Sequence, residues 1–363
     1  MKISLTWPQI LAWRLRRQFV AGADGPGVVE IARRLCGVQT QVPSSARLAV
    51  AVRSADPDPG AVDRALWHDR TLTKTWIMRG TLHLLPAEEL ADYCAALGTL
   101  RFWEKGSWQR GHGVTTAEIE AIIEAVPKVL EGACLTREEL VEAVVEVTGD
   151  AHLRQALTSG WGALLKPLSR LGELCYGPPR DGRVTFTAPR GWLPSWPGMP
   201  PTAAEAGVRV ARAFLGAHGP ATPEMLDTWL FGGVARKAVL RGWFRDLAGE
   251  LTEVEVAGRP LLALTEHLDD LTAQPPSDAV HLLPGFDQFI LGAPRGLEAL
   301  IPAGVKAKVS RAAGWISPVV VHEGRVAGVW EPEGGTVALD LFEPVPADLL
   351  AIAVQRMETL LAA

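Results

Sequence analysis

Helical segments closed by two short β-favouring runs occur three times along this chain, and that recurrence narrows the fold more than any other feature. The first round begins at Thr6 and Pro8, a helix-start signature, with apolar residues at helical spacing through 6–21. Shorter helices follow at 28–36, 44–53 and 60–68, then a hairpin candidate over 72–85, LTKTWIMRGTLHLL, around Arg79 and Gly80. The second round places helices at 117–131, at 136–147 behind the capping box Thr136 to Glu139, and at 152–171. Two strands around a Pro/Gly/Asp turn and a Pro-, Gly- and Trp-rich linker at 189–201 close it. The third predicts helices at 203–217, from Thr222-Pro223, and at 234–248, then two strands around Gly258. Three helices followed by a hairpin is the order of a winged helix, with the second and third helices as a helix-turn-helix and the hairpin as the wing. A spacing of this length is too long for a solenoid, so the units read as separate domains in tandem.

The expected division is a first winged helix over 1–115, a second over 116–200, and a third over 201–363 that includes a small C-terminal α/β cap. The fold class is α+β, mainly helical. The cap contains HLLPGFDQFILG, the hairpin ISPVVVHEGRVAGVWEP with its turn at 323–324, a strand TVALDLF and a closing helix at 346–361. The tryptophans Trp13, Trp161, Trp229 and Trp243 sit at apolar helix positions and read as core.

Hydrophobic residues at 48% and charged residues at 21% exclude a disordered chain. No run of 18 apolar residues is present, and the amphipathic start, with arginines inside the apolar pattern, does not read as a signal peptide; the expected location is the cytoplasm. Cys36, Cys94, Cys134 and Cys175 form no CxxC pair, which argues for four free thiols rather than a zinc site or disulfide framework. The net charge of −5 argues against a protein coated in nucleic acid. It hides an asymmetry, however. Residues 1–110 carry 15 Lys and Arg against 10 Asp and Glu, a net of +5, whereas 201–363 carry 13 against 20. A polyanion would meet the first third.

Phosphate loops, HExxH, GxSxG and dinucleotide fingerprints are all absent. One polar constellation stands out: Gln39 and Gln41, either side of Thr40, in the otherwise apolar stretch LCGVQTQVP. In an extended chain the two side chains share a side. Each carboxamide offers two donors and an acceptor without charge, enough to hold a water or a base edge. The same residues also suit a solvated helix–loop junction. Lys74, Arg79 and His83 lie on or near the first hairpin and form either a charged wing surface or a strip contacting phosphates. Lys306, Lys308 and Arg311 make a smaller basic run, and Asp287 within PGFDQF reads as a buried structural or pocket acid that pairs with a backbone donor or an arginine.

These segments resemble one family. GVQTQVPSSARLAVAVR, TWIMRGTLHLLPAEEL, LSRLGELCYGP, HLLPGFDQFILG and GRVAGVWEP, in order over nearly the whole chain, are similar to the bacterial winged-helix DNA glycosylases of the AlkZ and YcaQ type. The resemblance implies three tandem winged helices around a concave DNA-binding channel. It implies excision of alkylated purines from double-stranded DNA, including unhooking of interstrand crosslinks, and a Gln-aliphatic-Gln or Gln-x-Asp catalytic element. That element falls on Gln39 and Gln41, with Thr40 where the family has an aliphatic residue; the second glutamine favours the AlkZ branch. The motif gives no reason to expect a Schiff-base lysine, so the expected enzyme is monofunctional, with no metal or other cofactor and no membrane partner; a monomer is the default state. Lys74, Arg79, His83, Lys306, Lys308 and Arg311 become DNA-contact candidates, with the hairpin at 72–85 prying open a duplex whose crosslinked base cannot swing out freely. Two other classes fit the bare element order: a non-catalytic winged-helix regulator binding undamaged DNA, and a protein-interaction scaffold suited by the acidic later two-thirds.

Overall fold

The computed structural model describes residues 3–21, 25–158 and 160–362. Contacts divide the chain into two compact units. The first gathers residues 1–61 with 211–234 and 238–363; the second is 62–210 with 235–237. This division cuts through the stretch 1–115 that chain order groups together. Two features tie the start of the chain to its end. Strand Ile3–Leu5 adds in parallel to Leu251–Val256, with Ile3 opposite Val254, and Arg53 pairs with Asp287. The whole is α+β, with small sheets among many helices. No described helix is long and apolar enough to cross a membrane.

In the second unit, helix Thr116–Leu130 is capped by Thr115 and helix Arg137–Thr148 by Thr136, whose hydroxyl accepts from the Glu139 amide. Strand Leu135–Thr136 joins the hairpin Cys175–Arg180 and Arg183–Thr187 in a three-stranded sheet with the last strand central. Behind it, Ile119, Ile122, Val126, Leu140, Val144 and Leu153 fill one core with Tyr176 and Phe186. Helix, short strand, two helices and hairpin is a winged-helix order. The single helix expected over 152–171 is instead broken: His152–Thr158, a tight 3-10 stretch Gly160–Leu165, then Lys166–Leu171. Gly162 turns the chain with φ near +77°, and Pro167 lacks the amide that a continuing helix requires. The side chain of Trp161 lies outside the described residues.

The order repeats over 203–264, of which the first unit holds 211–234 and 238–264. Helices Ala203–His218, Pro223–Phe231 and Lys237–Asp246 lead to strands Leu251–Val256 and Arg259–Leu264. The cap is an antiparallel sheet in chain order, Val280–Leu283, Val319–His322, Arg325–Glu333 and Thr336–Leu341, closed by helix Ala347–Ala362. Val319, Val320 and Val321 are all fully buried, as expected of a strand covered on both faces. The Trp330 indole donates to the Leu283 carbonyl at 2.9 Å, and Met357 and Phe289 complete the core. Asp181-Gly182, Ala257-Gly258 and Glu323-Gly324 each hold two positive φ angles, the geometry that lets a two-residue loop follow strand twist.

Candidate active site

The Gln39–Gln41 stretch hangs between two helices of the first unit. Helix Val28–Arg34 ends in a left-handed turn, with Cys36 at φ 56° and Gly37 at φ 101°. The Gly37 amide returns to the Ala32 carbonyl at 2.8 Å, a Schellman-type close. A non-glycine residue in that region is strained, so the turn is fixed by its surroundings. Val38 and Gln39 run extended, the chain bends at Gln41 and Val42, and Pro43 opens helix Pro43–Ala51 at the position where its missing amide costs nothing. Extension therefore stops short of Gln41. Gln39 and Thr40 are buried, at 6% and 3% exposure, while Gln41 is exposed. One carboxamide is gripped by the fold and the next faces solvent.

The helix that follows is pinned at both ends by PGFDQF. Gly285 approaches its first turn so closely that a Cβ there would lie 3.5 Å from the Ser45 Oγ and 3.0 Å from the Ile316 carbonyl oxygen. At the other end, Arg53 donates to Asp287 through Nη1 to Oδ2 and Nη2 to Oδ1, both at 2.8 Å, with both side chains fully buried. Arg53 also donates to the carbonyls of Ala49 and Gln18, and the Phe289 amide donates to Asp287 Oδ1. A bidentate pair with its remaining donors and lone pairs satisfied is the arrangement in which a buried ion pair holds its geometry. Asp287 thus meets an arginine and a backbone donor. Arg53, 234 residues away, is the partner that sequence reasoning missed; its only local signal is a charge directly behind the apolar run LAVAV.

The basic candidates separate by unit. In the second unit, strands Leu72–Trp76 and Leu82–Pro86 pair with Thr75 opposite His83, joined by a tight turn where Arg79 sits at φ 53°. Lys74 and Arg79 are half-buried, with the Lys74 ammonium 4.9 Å from the centre of the Tyr176 ring. His83 departs from expectation. It is fully buried, and its Nδ1 donates to the Thr81 carbonyl at 3.0 Å. Burial, then the charge of Arg79, pushes its pKa down to about 3, so the ring is neutral and holds the hairpin rather than reaching a phosphate. In the first unit, Lys306, Lys308 and Arg311 are exposed. Lys308 pairs with Asp340 at 2.6 Å and Arg311 with Glu331 at 2.9 Å, which leaves one net positive charge on that run.

Comparison with known proteins places the chain in a family. The family model described as DNA glycosylase AlkZ-like matches residues 32–363. An interstrand DNA cross-link repair glycosylase of Streptomyces sahachiroi is 45% identical over 326 residues, spanning 90% of this chain and 88% of that protein. The solved structure of Streptomyces sahachiroi DNA glycosylase AlkZ superposes with a TM-score of 0.93 at 43% identity, covering 99% of this chain and 98% of that one. Fold and family thus define a DNA glycosylase, a hydrolase acting on N-glycosyl bonds, with DNA as substrate. Within that class, the chain belongs to the AlkZ-like DNA glycosylase family.

Proposed function

We propose that this enzyme excises N7-alkylguanine from double-stranded DNA, taking bulky adducts and interstrand crosslinks, with Gln39 and Gln41 as its catalytic pair. The observation that carries the reading is the Gln39-Thr40-Gln41 stretch itself, one carboxamide buried and one presented to solvent, at the head of a helix pinned by Arg53 and Asp287. An N7-alkylated guanine is cationic, so the C1′–N9 bond is weakened before the enzyme acts. As that bond breaks, its electron pair leaves with the base and neutralises it, and the sugar becomes oxocarbenium-like, as in glycoside hydrolysis. A water oxygen then bonds to C1′ and its proton passes to solvent. Neutral carboxamides are poor bases but can orient that water and place their oxygens toward the developing positive charge. Such a site acts on labile cationic lesions and spares normal purines. The motif offers no lysine for a Schiff base, so the product is an abasic site in an unbroken strand.

The winged-helix order within 116–187 and 203–264 supports a three-part division into 1–115, 116–200 and 201–363. Lys74 and Arg79 serve as phosphate contacts on the first wing, with Lys306, Lys308 and Arg311 secondary because two of the three already face carboxylates. The enzyme works as a monomer in the cytoplasm. The name of its Streptomyces relative supports a role in repairing crosslinks, fitted to self-resistance in a producer of a DNA-alkylating compound.

The test uses duplexes carrying N7-methylguanine, a bulky N7 adduct or an N7–N7 crosslink, scored for alkali-labile abasic sites. Release from all three, abolished in the Gln39→Ala, Gln41→Ala double variant, is expected. Full release by the double variant would remove the motif from the mechanism. No release from any N7-alkylated duplex would overturn the substrate assignment.

A further inference from the structure

Trp315 stands apart from the other tryptophans. Of those whose side chains are described, it alone is exposed, at 45%, and it is the one aromatic among the exposed large apolar side chains. The fold presents it on a fixed loop. Ser310 bridges Ile316, the Arg311 amide donates to the Trp315 carbonyl at 2.8 Å, and the Ser317 amide donates to the Val309 carbonyl at 2.9 Å. Between them Ala313 and Gly314 turn the chain with φ 55° and 77°. Val309 and Ile316 are buried, and the alternation of the returning strand sends Trp315 outward. Its indole packs T-shaped on Phe286, ring centres 5.0 Å apart, and Phe286 itself takes a left-handed φ of 61°. Whichever ring supplies the edge, this contact leaves a face of the indole open. The loop also adjoins the motif helix. A Cβ at Gly285 would meet both the carbonyl of Ile316, the residue after Trp315, and the hydroxyl of Ser45 in the first turn of helix Pro43–Ala51. Val42, next to Gln41, packs on the cluster that holds Phe286 and Ile316.

An alanine and a phenylalanine held in the left-handed region are strained, and such strain gathers at functional sites. An indole left in water forfeits the burial that its area would otherwise contribute. Here the strained turn, the strained Phe286 and the exposed ring lie together and adjoin the motif helix. We propose that Trp315 is a lesion-recognition residue: its indole stacks on the alkylated guanine and distinguishes it from normal bases by its charge. The proposal rests on the N7-alkylguanine reading of the site. Every base has a face that an aromatic ring can stack on, so stacking alone selects nothing. Alkylation at N7 adds a positive charge to that face, and an indole is the aromatic surface that attracts a cation best. The cations of the loop offer little opposition, because Lys308 and Arg311 are held by Asp340 and Glu331. A stack needs only one face of the base uncovered, so a crosslinked base can be recognised without leaving the duplex completely.

The experiment uses two duplexes alike except for charge. One carries N7-methylguanine on a 2′-fluorinated sugar, which resists release because fluorine disfavours positive charge on the sugar. The other carries 7-methyl-7-deazaguanine on the same sugar, a neutral base of the same shape. Dissociation constants are measured for wild type, for Trp315→Leu, which keeps an apolar side chain against Phe286 but has no aromatic face, and for Trp315→Phe. Wild type is expected to bind the cationic duplex about tenfold more tightly than the neutral one, Trp315→Leu to bind the two equally, and Trp315→Phe to keep part of the preference. The ratio compares two ligands on one preparation, so a partly folded variant does not distort it. A Trp315→Leu that holds the wild-type ratio, or a wild type without preference, would overturn the proposal. Base release by wild type from the unfluorinated N7-methylguanine duplex reports on the excision chemistry separately. Release with a ratio that Trp315→Leu leaves unmoved fails the stacking role alone; a Trp315-dependent ratio without release fails the chemistry alone.

Discussion

At the scale of single residues, the two glutamines are unequal partners. Gln39 is enclosed, so its replacement removes packing as well as the proposed chemistry; Gln41 is exposed, so its replacement leaves the core intact. Gln41→Ala is therefore expected to unfold within about 0.5 kcal/mol of wild type, as surface changes do. Its base release should fall by about a hundredfold or more, the scale of a lost positioning or charge-stabilising group. Chemical denaturation and single-turnover release on one preparation check both halves, and a Gln41→Ala that is stable and fully active would leave Gln39 alone in the mechanism. Behind the motif, Arg53 and Asp287 predict a large structural effect. Asp287→Asn leaves a buried guanidinium facing a neutral amide and is expected to cost about 3–5 kcal/mol of stability. A loss below about 1 kcal/mol in urea unfolding would mean that the pair does not hold the motif helix.

The elements show a different kind of control. The hairpin Leu72–Trp76 and Leu82–Pro86 alternates a buried, neutral side at His83 with half-buried cations at Lys74 and Arg79. Charge reversal at Lys74 or Arg79 is expected to weaken binding of all duplexes uniformly and to lower the salt slope by about one per lost phosphate contact. An unchanged salt dependence would exclude this wing from DNA. Reversal at Lys308 or Arg311 should do less, because each charge already faces a carboxylate at the surface, where such pairs contribute well under about 1 kcal/mol. The broken helix over 152–171 matters here as well. Continuous, it would turn through a different number of residues before reaching position 170; interrupted by Gly162, it resumes as the short helix that carries Lys166 and Arg170.

For the whole molecule, buried histidines set the response to acid. His83 is held down to about 3 and His281 to about 4, both mainly by burial. In the unfolded chain each takes a proton near pH 6.5. Below that pH the unfolded state binds more protons than the folded one, so stability falls as pH drops from about 6.5 toward 4 and is level above. Urea midpoints at pH 7.5, 6 and 5 should trace this decline, and His83→Gln should reduce its slope by about one proton. Midpoints that stay flat from pH 7.5 to 5 would contradict the burial argument.

Local physical chemistry is enough to explain what the sequence determined by itself. The capping box at Thr136 and Glu139, the left-handed x-Gly turns of the hairpins, the proline that opens the motif helix and the alternation of strands all act over two to five residues, so the order of elements and the Gln39–Gln41 motif are legible directly. So was the excess of positive charge in residues 1–110, a property of composition. What only the tertiary structure decided depends on contacts between distant positions: the pairing of Ile3–Leu5 with Leu251–Val256, Arg53 with Asp287, and the burial that turns His83 from a candidate phosphate contact into a neutral strut. A side chain's charge and reach are fixed by its type, but whether it meets water, a carboxylate or neither is fixed by which remote segment folds over it.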